Sequence, residues 1–142
     1  MTALLAVEDM HVSYGKVEAW NERGQPVATR TLIGGTYDRA TGAEPFDLPT
    51  AFVKNKARID MNTPYDFVTT NDIIGGNSGS PVIDRSGAVI GAAFDGNIHS
   101  IGGNYGYDPV LNRTVVVSTA AVQEALEHIY PAPGLLGELK RQ

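Results

Sequence analysis

Cysteine is absent from this 142-residue chain. Neither a disulfide framework nor a thiolate metal site can therefore support its fold or its chemistry. No apolar run approaches the roughly 20 residues of a membrane-spanning helix. Basic residues are outnumbered, with 11 Lys and Arg against 16 Asp and Glu and a formal net charge of −5. Without a basic patch, nucleic acid is excluded as the expected partner. No internal repeat is visible. Met1 to Val7 is too short for a secretory apolar region before Glu8 and Asp9 close it, so an export signal is expected upstream, in a longer parent. Histidine is scarce too: His11, His99 and His128 are all there are.

What is present reads as one domain, long enough to bury about two thirds of its unfolded surface. Six strand-like runs are expected. His11 to Trp20 alternates, and Asn21 to Gln25 supplies a turn into a second run, Pro26 to Leu32. Residues 34 to 62 are polar and hold no clean period, apart from a short helix expected over Pro49 to Lys56 with proline in its first turn. Strands follow at Phe67 to Thr70, Val82 to Asp84, Ala88 to Phe94 (read as a buried run) and Thr114 to Val117. Between the last two lies a long Gly- and Asn-rich loop, Asp95 to Arg113, of the kind that usually carries function. Ser118 or Thr119 is expected to cap a helix reaching about Tyr130, with Val122, Leu126 and Ile129 on one face and Pro131 and Pro133 ending it.

The chemistry concentrates in Gly75-Gly76-Asn77-Ser78-Gly79-Ser80-Pro81. Attack on an acyl carbon needs a serine hydroxyl beside backbone N–H groups aimed at the developing oxyanion. A loop that turns its N–H groups inward needs residues free to adopt unusual φ and ψ, which glycine supplies. By the trypsin-like pattern Ser78 is the nucleophile, and the N–H groups of Gly76 and Ser78 form the oxyanion hole. The alternative is a Gly/Ser-rich hairpin loop without chemistry; the flanking strand-like runs and the closing proline favour the catalytic reading.

A serine of this type also needs a histidine base and an orienting carboxylate, both of which precede it in the trypsin-like order. The one histidine upstream of Ser78 is His11, in an alternating run with no small-residue loop around it, and it reads as an exposed strand residue. The chain thus looks like the nucleophile-bearing half of an enzyme whose base lies elsewhere.

Three further strings extend the pattern: Thr70 to Val82, Phe94-Asp95-Gly96-Asn97, and Asp108 to Thr114. Together with Ser13 to Val17, Thr31-Leu32 and Leu135 to Leu139, they resemble the bacterial dipeptidyl-peptidase 7 and 11 family of serine exopeptidases. The resemblance implies a mainly β fold, a single six-stranded antiparallel barrel with a C-terminal helix, forming the second half of a chymotrypsin-like double barrel. Residues 1–142 would then be the C-terminal barrel, with the histidine, the aspartate and a helical cap in missing parts of the parent. The implied activity is removal of dipeptides from free peptide N-termini, with no cofactor or metal, in a homodimeric parent that is periplasmic, secreted or on the cell surface. Its implied partners are such peptides and the rest of the catalytic domain.

Carried over by position, Ser78 matches the nucleophile, and Gly76 with Ser78 the oxyanion hole. Asp95 matches a carboxylate that helps hold the substrate's α-ammonium, for which a carboxylate is the natural charged partner; its plain alternative is a loop carboxylate bonded to nearby N–H groups. Gly96 matches the position where arginine would read an acidic P1 side chain, so glycine implies a hydrophobic P1. The chain departs from the pattern at Ile98-His99, where a Trp-Glu pair is expected, and at Asn77 in place of the aspartate that zymogen-type trypsins carry before the serine. Two other readings stand beside this one: a fragment of a glutamyl-endopeptidase-like trypsin-fold endopeptidase, and a non-catalytic binding module. The chain alone is expected to be inactive.

Overall fold

The computed structural model of the chain describes residues 12–103 and 105–140. Its strands fall into two sheets. Trp20–Glu22 (β1) and Gln25–Val27 (β2) pair as an antiparallel hairpin with Trp20 opposite Val27. Arg23 and Gly24 both take positive φ at its tip, 49° and 83°, as a two-residue turn matched to strand twist demands. The larger sheet contains Arg30–Leu32 (β3), Pro64–Thr69 (β4), Pro81–Ile83 (β5), Val89–Gly96 (β6) and Thr114–Ser118 (β7). Their order across the sheet is β3-β4-β7-β6-β5, all antiparallel.

This corrects the expected six-stranded barrel. Among the described residues the five-stranded sheet is open, and the hairpin stands apart from it. The expected strand from His11 to Trp20 does not form as one element. His11 lies outside the described residues, Val17 makes one isolated bridge to Thr69, and only Trp20 enters a strand. The run Pro26 to Leu32 divides between the hairpin and the edge of the large sheet. The expected buried run Ala88 to Phe94 becomes the strand Val89–Gly96, in which only Gly91 and Ala93 are buried.

Central β7 reads Thr-Val-Val-Val-Ser, with Thr114, Val116 and Ser118 buried. Its β-branched residues suit a pleated surface packed on both flanks. The main core lies on one side of the sheet, where Ile33, Ile59, Ala121 and Ile129 meet Tyr37, Phe52, Met61 and Tyr65. Ile33 opens Ile33–Arg39 (α1), a helix the sequence conceals behind Gly34 and Gly35. Tertiary contacts supply what propensity does not. The N–H groups of Ile33 and Gly34 donate to the Thr63 and Met61 carbonyls at 3.0 and 2.9 Å, which satisfies donors that a helix start leaves free. Thr50–Asn55 (α2) occurs where expected, with Pro49 as its N-cap.

Ser118 caps Thr119–Glu124 (α3), its Oγ accepting from the Ala121 N–H at 3.1 Å. The helix continues as a π-turn, Ala125–Ile129, in which the Tyr130 N–H reaches the Ala125 carbonyl. The buried face carries Ala121, Ala125 and Ile129, whereas Val122, expected there, is exposed. Pro133 does not merely end this helix but begins another, Pro133–Leu139 (α4), from the first-turn position that tolerates proline.

Arg113 is the largest fully buried side chain. Its guanidinium donates to the carbonyls of Glu18, Ala19, Pro109 and Asn112 at 2.7–3.3 Å. It thereby ties the segment that leads into β1 to the segment that leads into β7. Truncation would leave those carbonyls unpaired, so Arg113→Ala is expected to cost about 3 kcal/mol or more. Urea unfolding of the chain measures this, and a loss below about 1 kcal/mol would contradict the role.

Asp66 on β4 supplies a pH signature. Burial raises its carboxyl above the ordinary value of 3.8. The unfolded chain therefore ionises first, and the folded state loses stability as pH rises from the unfolded value through the folded one. Asp66→Asn should remove this part of the pH dependence and raise Tm at pH 7 relative to the native chain. Parallel Tm-versus-pH curves for the two proteins would argue against it.

Candidate active site

The strand end that delivers Ser78 is held from three directions. The Thr70 N–H donates to the Lys16 carbonyl at 3.0 Å, and the Lys16 N–H returns to Thr70 Oγ1 at 3.1 Å. Asn71 Nδ2 reaches the Ser13 carbonyl at 2.7 Å, while Ser13 Oγ reaches the Asp72 carbonyl at 2.9 Å. From β7, Thr114 Oγ1 donates to the Asn71 carbonyl at 2.7 Å. A loop with so many outward ties leaves β4 in one direction only.

Within the loop, Asn77 Oδ1 accepts the Ile74 N–H at 2.9 Å and the Ile74 carbonyl accepts the Asn77 N–H, a reciprocal clasp around Gly75 and Gly76. Gly76 and Gly79 have φ of 99° and 89°, values an L side chain would strain. On its far side the loop joins β6 through Gly79 N–H to Ala93 O at 2.7 Å and Ala93 N–H to Ser80 O at 2.9 Å. The N–H groups of Gly76 and Ser78 donate to no acceptor among the described residues.

A cavity of about 240 Å³ opens at Ser78. Its floor exists because β6 bulges: Ala93 pairs with Val116 and Asp95 with Val115, which leaves Phe94 as the extra residue. Bulges re-aim side chains and carbonyls beside functional sites. Here the Phe94 carbonyl accepts from Ser78 Oγ at 3.2 Å, and Phe94, Asp95 and Gly96 all line the cavity. Ile73, Ile74 and Ile101 supply much of the remaining wall, and no lining side chain is cationic.

The sequence-predicted residues Ser78, Asp95 and Gly96 thus meet at one cavity, with Gly76 in the adjoining loop. Asp95 Oδ1 accepts the Gly96 N–H at 2.8 Å, and Oδ2 has no partner among the described residues. Among the described residues no histidine is bonded to Ser78. His99 instead meets Glu22, its Nε2 at 2.6 Å from Oε2, while His128 lies 3.9 Å from Glu124 on the helical side. The Glu22 carboxyl is held below its ordinary 4.5, chiefly by the His99 contact and then by the Trp20 indole N–H. Glu22 and Ser100 are participants that sequence reasoning missed, because neither belongs to a local motif. Across the described residues, no group of His, Cys, Asp and Glu is arranged to hold a metal ion, and no helix is long and apolar enough to cross a membrane.

After Gly96 the chain turns at Asn97 into a short 3-10 segment, Ile98–Gly102. A Cβ on Gly96 would sit 2.7 Å from Ser100 Cβ. Glycine at 96 is therefore a point of close approach as well as part of the cavity wall. Gly96→Ala should destabilise the chain by about 1–3 kcal/mol through this overlap. Ser100→Gly should relieve it, so a double-mutant cycle by urea unfolding should show favourable coupling between the two changes. Strict additivity would mean that the turn simply moves aside.

Residues 6–141 match the peptidase S46 family. The chain is 33% identical over 140 residues to dipeptidyl-peptidase 7 of Phocaeicola vulgatus, an alignment covering 92% of this chain and 19% of that protein. It is 30% identical over 140 residues to the Asp/Glu-specific dipeptidyl-peptidase of Flavobacterium psychrophilum, covering 92% and 20%. In fold it is similar to the crystal structure of Porphyromonas endodontalis DPP11 in complex with the dipeptide Arg-Asp, with a TM-score of 0.83 at 19% identity, over 92% of this chain and 20% of that one. The chain spans about a fifth of the length of these relatives. With the match running across almost its whole length, the chain belongs to the peptidase S46 family.

Proposed function

We propose that these 142 residues form the nucleophile-bearing part of a serine-type dipeptidyl-peptidase that removes dipeptides from free peptide N-termini. The observation that carries this reading is the placing of Ser78 at a cavity, with the Gly76 and Ser78 N–H groups without acceptors among the described residues. Ser78 Oγ attacks the carbonyl carbon of the second peptide bond. The carbonyl oxygen becomes anionic and takes hydrogen bonds from the two N–H groups. Collapse expels the amine and leaves an acyl-enzyme, which water hydrolyses.

The base that removes the Ser78 proton comes from outside these residues. His99 and His128 are both engaged elsewhere, His11 reads from the sequence as an exposed strand residue and lies outside the described residues, and the relatives are about five times longer than this chain. The isolated chain is on this reading inactive, and the described sheet is the second of two paired β units in the parent. Homodimerisation and a periplasmic or surface location belong to the same reading.

Asp95 supplies the carboxylate for the substrate's α-ammonium through the oxygen that Gly96 does not occupy. The P1 side chain is hydrophobic. Ile73, Ile74, Phe94 and Ile101 line the cavity without a cation, and the Asp95 carboxylate there opposes an acidic side chain. An endopeptidase built on the same loop would have no use for Asp95.

In the longer active enzyme, Ser78→Ala should lower kcat by about a million-fold, since loss of the nucleophile leaves only binding and oxyanion assistance. Asp95→Asn should lower kcat/KM about ten-fold for free-amine peptides and leave N-acetylated ones at their low baseline. Equal kcat/KM for a free and an N-acetylated peptide of one sequence would refute the exopeptidase reading.

A further inference from the structure

The Ile98–Gly102 turn walls one side of the Ser78 cavity through Ser100 and Ile101. Apolar packing does little to hold it, because Ile98 is 72% exposed and Ile101 80%. Its inner end is fixed by polar contacts to the strand that enters β7. The Asn97 N–H donates to the Arg113 carbonyl at 2.8 Å, and Asn97 Oδ1 receives the Ser100 hydroxyl and the Arg113 N–H at 3.0 and 3.1 Å. Its outer face has one side-chain tie among the described residues, from His99 Nε2 to Glu22 Oε2 at 2.6 Å.

Glu22 is itself well placed to act as an anchor. It pairs with Gln25 in the hairpin, and the same Oε2 accepts the Trp20 indole N–H at 3.3 Å. The segment entering that hairpin is tied down where Arg113 takes the carbonyls of Glu18 and Ala19. Arg113 therefore reaches the turn by two routes, directly through Asn97 and indirectly through the hairpin, Glu22 and His99. The other charged group close to the pair is the Arg23 guanidinium, 3.9 Å from Glu22 and nearly fully exposed.

We propose that Glu22 and His99 are positioning residues for the cavity beside Ser78. Their contact clamps the Ile98–Gly102 turn against Gly96 and so fixes the wall that a large aliphatic or aromatic P1 side chain touches. The proposal rests on the reading of that cavity as the P1 pocket. Release of the clamp lets Ser100 and Ile101 move outward, and a bulky P1 side chain loses contact with them. A small P1 side chain never reaches that wall and is indifferent to the change.

The test is a P1 series on the active enzyme carrying Glu22→Ala, His99→Ala or His99→Gln, with Ser78→Ala as control. Both alanine variants should raise KM about five-fold for Phe or Leu at P1, with kcat and the Ala-P1 substrate nearly unchanged, as suits a partly exposed charged contact. His99→Gln, whose amide can still donate to Glu22, should restore most of the loss. Equal losses on every P1 side chain, or none, would overturn the proposal.

A second measurement does not depend on catalysis. In the 142-residue chain, His99→Ala should speed amide hydrogen exchange at Ser100 and Gly103 about five-fold, leave central Val116 unaffected, and be reversed by His99→Gln. Unchanged exchange in the turn would also overturn the clamp. If Ser78→Ala retains turnover, the functional reading of the cavity has failed instead, and the exchange result alone decides whether the clamp exists.

Discussion

The constraint on which this structure turns is a buried arginine that serves four backbone carbonyls. A guanidinium is planar and presents five donors in a fixed fork, so one side chain can hold several chain segments at defined angles. Arg113 does this where the sequence is otherwise unable to build a core. The segment before β1 is short of regular structure, and the loop before β7 is rich in Gly, Asn and Asp. Neither could bury enough apolar area to order itself, and polar satisfaction of buried carbonyls takes that role. From this one group the order passes outward to Asn97 by way of the Arg113 backbone, and from Asn97 to the turn beside Gly96.

The site is then assembled by two departures from regular sheet. The bulge at Phe94 brings a carbonyl against the Ser78 hydroxyl and directs the next two residues to the cavity. The positive-φ glycines at 76 and 79 curl the loop around Ser78, in which the Gly76 and Ser78 N–H groups have no acceptor among the described residues. Each departure alone would be an irregularity in an antiparallel sheet. Together they bring the Ser78 hydroxyl, the Phe94 carbonyl and a recess lined in part by Ile73, Ile74 and Ile101 to one place on the sheet.

Other surfaces of the chain obey a different logic. Ile74, Ile83, Val89 and Ile98 are more than half exposed. The open sheet also ends in β5 at one edge and β3 at the other, both only three residues long. Short edges limit strand-to-strand aggregation. Exposed branched residues such as these are the kind of surface that a further part of a longer protein would cover.

Local signals settled much before any tertiary information was needed. The glycines and closing proline around Ser78 mark a tight loop between two strands, because few other residues tolerate the positive φ found at 76 and 79. Thr114 to Ser118 reads as a strand running into a capped helix, because β-branched residues and a serine cap act over neighbouring positions. The Asp95-Gly96 pair, singled out by its place in a longer pattern, lines the cavity at Ser78. Tertiary structure alone decided the rest. It made a helix of Ile33–Arg39 despite two glycines, because carbonyls of Thr63 and Met61 receive its first N–H groups. It divided the first two expected strands between a hairpin and a sheet edge, because Val17 pairs with Thr69 and Arg30 with Phe67, partners far along the chain on β4. It sent His99 to Glu22 and not to Ser78, a partnership across 77 positions that no local pattern encodes. Steric and capping rules act within a few residues, whereas the partner of a buried guanidinium or an imidazole is whatever the completed packing brings within 3 Å, and that is a property of the fold.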